Sequence, residues 1–67
     1  MKKYAVLRAT MRAKKCTLAK LAEMANCTVQ SVHNKLEDKT DWTLTEMLAI
    51  RDGLESDEKL DILFFRG

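Results

Sequence analysis

The chain has 67 residues, 46% of them hydrophobic and 33% charged, enough to close one hydrophobic core but not two. No apolar run approaches the roughly 18 residues of a membrane span, and two cysteines without an apolar export segment argue against a disulfide scaffold, so a cytoplasmic protein is expected. The formal net charge of +2 is unevenly spread: nine Lys or Arg face three acids up to Lys39, giving +6, and three face seven from Thr40 onward, giving −4. The first half therefore suits a polyanion and the second repels one.

Glycine occurs only at Gly53 and Gly67 and proline is absent, so Asn, Thr, Ser and Asp must supply the breaks. Tyr4, Leu7 and Met11 recur at helical spacing with Val6 beside them, predicting a first helix over about residues 3 to 14. Thr17 is placed to cap a second, about 18 to 25, that carries Leu18, Leu21, Ala22 and Met24. Asn26 should end it, because Asn enters the left-handed conformation of a tight turn with little strain.

Thr28 is placed to cap a third helix, about 29 to 37, with Val32 and Leu36 on its buried side and Cys27 covering the turn. The polar stretch from Leu36 to Asp41 reads as a loop able to approach a phosphate backbone. Thr43 and Glu46 then have capping-box spacing, and Trp42 and Met47 that of a hydrophobic staple, marking a fourth helix over about 44 to 53. Leu44, Met47, Leu48 and Ile50 should give it an apolar surface. Ser56 should cap a fifth helix, about 57 to 64, with Leu60, Leu63 and Phe64 on the core face and Ile62 and Phe65 on a neighbouring one. The expected fold is all-α, a single five-helix domain spanning 1–67.

Between Thr17 and Leu36 this pattern makes two short helices around a sharp turn. Ala22 and Ala25 are small enough for the helices to cross closely, and Leu21, Cys27 and Val32 should form the seam. A helix held in this way can enter the major groove of duplex DNA, where polar side chains meet a distinct donor and acceptor pattern at each base pair.

At these positions the chain resembles the helix-turn-helix repressors related to the phage lambda repressor and Cro. The resemblance rests on Thr17, Leu21 and Ala22, then Asn26, Cys27 and Thr28, then Val32 and Leu36. Downstream, Trp42-Thr43-Leu44-Thr45-Glu46 with Leu48, Ile50 and Leu54 is similar to the fourth helix of the phage-encoded branch. The resemblance implies a compact lambda repressor-like domain with its motif at about 17–36, acting as a small phage or prophage transcriptional regulator, a repressor. Val29, Gln30 and Asn34 fall at base-contact positions, with Val29 suited to a thymine methyl. Thr17, Thr28 and Ser31 resemble cap and phosphate-contact positions, and Lys39 lies in the loop that touches the backbone. Lys14, Lys15, Lys20, Lys35 and Lys39 are flexible donors suited to phosphate contact or else a basic surface that serves solubility alone, and His33 is either a phosphate contact or a solvated helix residue. The chain departs from the family pattern where Leu18 replaces a bracing Gln, Asn26 replaces the turn Gly, Lys15 replaces a helix-ending Gly, and Glu37-Asp38 replaces Asn-Gly.

Cys16, Cys27 and His33 include good zinc ligands, but their spacing matches no finger and no fourth ligand is evident, so buried free thiols and no metal are expected. Neither a catalytic constellation nor a cofactor or small-molecule site is legible, and the chain does not read as an enzyme. The expected partner is duplex DNA with a roughly palindromic operator, bound by two copies that meet through Ile62 and Phe65. The alternative is a helical adaptor that keeps this fold and binds protein through the same apolar pair.

Overall fold

The computed structural model describes residues 3–67, which form five helices and no strand. They are α1 (Ala5–Ala13), α2 (Leu18–Ala25), α3 (Val29–Leu36), α4 (Leu44–Gly53) and the single-turn α5 (Leu60–Leu63). None is long and apolar enough to cross a membrane. The predicted spans of α2, α3 and α4 agree with the structure to within a residue.

Local chemistry explains most of the boundaries. The hydroxyls of Thr17, Thr28 and Thr43 accept from the amides of Lys20, Ser31 and Glu46, which starts α2, α3 and α4. At α4 the box is complete, since Glu46 Oε1 also accepts from the Thr43 amide at 2.9 Å. The first four helices all end alike. Lys15, Asn26, Asp38 and Glu55 each take a positive φ, between 53° and 62°. The amide after each then reaches back five residues: Cys16 to Met11 O, Cys27 to Ala22 O, Lys39 to Asn34 O and Ser56 to Arg51 O. This is the Schellman closure, made four times with no glycine at the left-handed position.

Helix α2 packs on both α3 and α4, while α5 bridges α4 and α1. Leu7, Leu21, Val32, Ile50 and Leu63 are completely buried. Ala22 and Ala25 are buried too, as close crossing requires. Tyr4, Trp42 and Phe64 form an edge-to-face aromatic series, with ring centroids 6.4 and 5.5 Å apart. Gly53 is a close-approach point, where an added Cβ would lie 2.7 Å from Met24 Sδ. Tyr4, at the start of α1, and Arg66, beyond α5, meet as well, since the Tyr4 amide donates to Arg66 O at 3.2 Å.

Helix α1 begins at Ala5, two residues inside its expected start, because Tyr4 has a left-handed backbone at its N-cap. Three expectations are corrected. Ser56 does not cap α5; its hydroxyl accepts from the Glu58 amide two residues on, a local turn that competes with helix, so α5 shrinks to Leu60–Leu63. Leu44 and Leu48 are exposed, at 61% and 42%, because Met47, Ile50 and Leu54 define the inward stripe of α4. Cys16 and Cys27 are free but only partly buried.

Candidate nucleic-acid interface

Helix α3 divides sharply into two faces. Val32 and Leu36 are buried against α2 and the core, whereas Val29, Gln30 and His33 are exposed and Ser31 and Asn34 are half-buried. Gln30 Nε2 donates to Asn34 Oδ1 at 3.1 Å, so two side-chain amides lie side by side one turn apart. That bond leaves the Gln30 carbonyl oxygen to accept and the Asn34 amide to donate, a complementary pair on one surface.

Thr28 and Val29, at the start of α3, border an open cleft against α2 that is also lined by Ala19, Glu23, Asn26 and Cys27. Thr28 Oγ1 accepts from the Ser31 amide at 3.1 Å and Thr17 Oγ1 from the Lys20 amide at 3.2 Å. Each hydroxyl keeps its own hydrogen for an outside acceptor. Glu23 is the one acid lining this cleft.

The basic residues are not equivalent. Lys14, Lys15, Lys20 and Lys39 are exposed. Lys14 and Lys20 line a separate depression with Met24, Gly53 and Glu55, at the end of α4, which places Lys20 toward α4. Lys39 leaves the turn immediately after α3, where its amide is fixed to Asn34 O.

Lys35 is corrected from the phosphate set, because its side chain runs inward. It is only 9% exposed, its ammonium lies 2.6 Å from Glu46 Oε2, and it sits 5.6 Å above the Trp42 ring centroid. Trp42 is itself buried, its indole N–H unpartnered among the described residues. Burial pushes the Glu46 carboxyl pKa up, but the hydrogen bonds from Lys35 and Thr43 and the Lys35 charge outweigh it, and the net direction is down. Helix α3 is thus pinned to the capping box of α4. Capping-box spacing identified Glu46, but no local signal pointed to its second partner.

Two arginines outside the expected site also act on α3. Arg8 of α1 donates from Nη2 to Leu36 O at 3.0 Å and lies 3.4 Å from Glu37 Oε2. It therefore supplies a donor and a positive charge at the negative end of α3. Arg66 approaches Asp38 at 3.5 Å and Asp41 at 2.9 Å. Sequence spacing could not find these pairs, whose members lie 25 to 29 residues apart. Near Lys20, burial raises the Cys16 thiol pKa more than the neighbouring ammonium lowers it.

Ile62 and Phe65 are exposed, at 44% and 61%. No family model, no curated protein and no solved structure matches the chain.

Proposed function

We propose that this chain is a sequence-specific duplex-DNA-binding transcriptional regulator with a lambda repressor-like helix-turn-helix. The observation that carries the reading is the division of α3. Its apolar side is locked onto α2 by Leu21, Ala22, Ala25 and Val32, and its outer side presents Val29, Gln30 and the Gln30–Asn34 amide pair.

An acceptor beside a donor complements adenine, which offers N6–H and N7 in the major groove. Thr28 and Thr17 offer hydroxyl hydrogens, and Lys39 an ammonium, to phosphates on either side of the groove. His33 and Ser31 flank the same surface. The excess of positive charge before Thr40 supplies the non-specific attraction.

A salt-dependent anisotropy titration on genomic duplex fragments tests the reading. Selective binding, tighter than to random duplex, is expected, and binding to neither would end it. Lys39→Ala should weaken specific and random duplexes by similar factors and lower the salt slope by about 1. Gln30→Ala should instead cost about 1–3 kcal/mol on the preferred site alone. A uniform loss with Gln30→Ala would assign that residue to the backbone.

A second reading has its own observation. Exposed Ile62 and Phe65 would serve a helical adaptor that binds a protein, and a stable heterologous complex without DNA affinity would favour it.

A further inference from the structure

The turn that leaves α3 carries Glu37 and Asp38, with Asp41 shortly after. Acids there are doubly unfavourable. They face the negative end of the α3 dipole, and they adjoin Lys39, the residue given a phosphate contact above. The turn is also rigid: Asp38 is held at φ 62°, its amide donates to Lys35 O at 3.1 Å, and the Lys39 amide donates to Asn34 O at 2.9 Å. The closure fixes where these residues sit, and it leaves the direction of their carboxylates to side-chain partners.

Both acids at the turn meet an arginine from a distant part of the chain. Arg8 reaches Glu37 from α1, and Arg66 reaches Asp38 and Asp41 from beyond α5. The Arg66 backbone is fixed by the Tyr4 amide, so its guanidinium is delivered to the turn by the fold. We propose that Arg66, with Arg8, neutralises the acidic turn behind α3 and so sets how strongly Lys39 and the end of α3 attract a DNA backbone, without touching DNA themselves. This rests on the duplex-DNA reading. Arg66 is then a positioning and affinity-setting residue in the acidic half of the chain, where the charge count alone places none.

The guanidinium titration agrees with the geometry, since Asp38, then Tyr4 and Asp41, hold the Arg66 pKa above its ordinary value. A carboxylate released by its arginine is free to turn and pair with the Lys39 ammonium, competing with a phosphate for it, so the loss on removing Arg66 requires the carboxylates, and it is screened by salt.

The test is a double-mutant cycle read by anisotropy on a labelled random-sequence duplex at low salt, with helix content checked by circular dichroism. The wild type is compared with Arg66→Gln, with Asp38→Asn combined with Asp41→Asn, and with all three changes together. Arg66→Gln should weaken binding about fivefold. In the chain already carrying Asp38→Asn and Asp41→Asn, the same change should lose most of its effect. Arg66→Lys keeps the charge and should stay near wild type. An equal loss in both backgrounds would show that Arg66 acts through its own charge or its own phosphate contact, and would overturn the proposal. A wild type that binds no duplex would overturn the DNA reading itself, and this one with it, before any variant is compared.

Discussion

Glu55 shows how much of this architecture depends on single residues in an unusual backbone state. It is exposed, sits at φ 53° directly after α4, and places a negative charge at the helix end that already carries one. A left-handed backbone costs a residue with a Cβ about 1–2 kcal/mol, and glycine avoids that cost while losing more entropy on folding. Glu55→Gly should therefore stabilise the domain by about 0.5–1 kcal/mol, seen as a rise of several degrees in Tm. An unchanged or lower Tm would mean that Glu55 makes a compensating contact. Asn26 is the opposite case, since its side chain suits the same conformation and its role was readable in advance. Lys15 and Asp38 were marked only through the family resemblance, where each stands at a glycine position, and Glu55 gave no sign, because nothing in a Glu distinguishes a left-handed helix end from an ordinary surface position.

Between elements, the connection of greatest consequence is the joint of Lys35, Glu46 and Trp42, which ties α3 to the start of α4. Both charged side chains are largely buried, at 11% and 14% exposure, so removing one leaves the other short of a partner. Lys35→Ala should cost about 3 kcal/mol, toward the low end for breaking a buried pair. The pH dependence has a definite sign. The folded pKa of Glu46 is lowered, so its contribution is complete above the ordinary glutamate range and is lost as pH falls through the lower folded value. The Tm gap between wild type and Glu46→Gln should accordingly be widest near neutrality and close in acid. A gap that does not change with pH would remove the pair from the account.

The elements were legible where the cause is local. Three threonine caps, one capping box and the 3.6-residue stripe on α3 fixed α2 to α4. Tertiary competition decided the rest. Lys35 looked like a solvated base until Glu46 and Trp42 were seen beneath it, and Leu44 and Leu48 looked like core until Met47, Ile50 and Leu54 claimed the inward side.

At the scale of the whole molecule, the exposed apolar pair on and after α5 bears on how many copies assemble. Ile62 and Phe65 leave apolar surface exposed on a domain only 25 × 24 × 22 Å across. On the proposed DNA reading, we expect a second copy to cover them in an arrangement that sets two α3 helices in successive major grooves, about 34–36 Å apart. Each weak half-site would then reinforce the other. Sedimentation on a two-half-site duplex should give a two-to-one complex that Phe65→Ser disrupts; a persistent one-to-one complex, or assembly untouched by that change, would place the contact elsewhere. The meeting of Tyr4 and Arg66 has a topological consequence of its own. With Tyr4 hydrogen-bonded to Arg66, the fold from Lys3 to Gly67 is nearly a closed ring, and in a version cut to those residues a short Gly-Ser peptide could join the two ends. Cyclisation would remove disorder available only to the unfolded chain, tether the guanidinium that faces the acidic turn, and leave the outer side of α3 untouched.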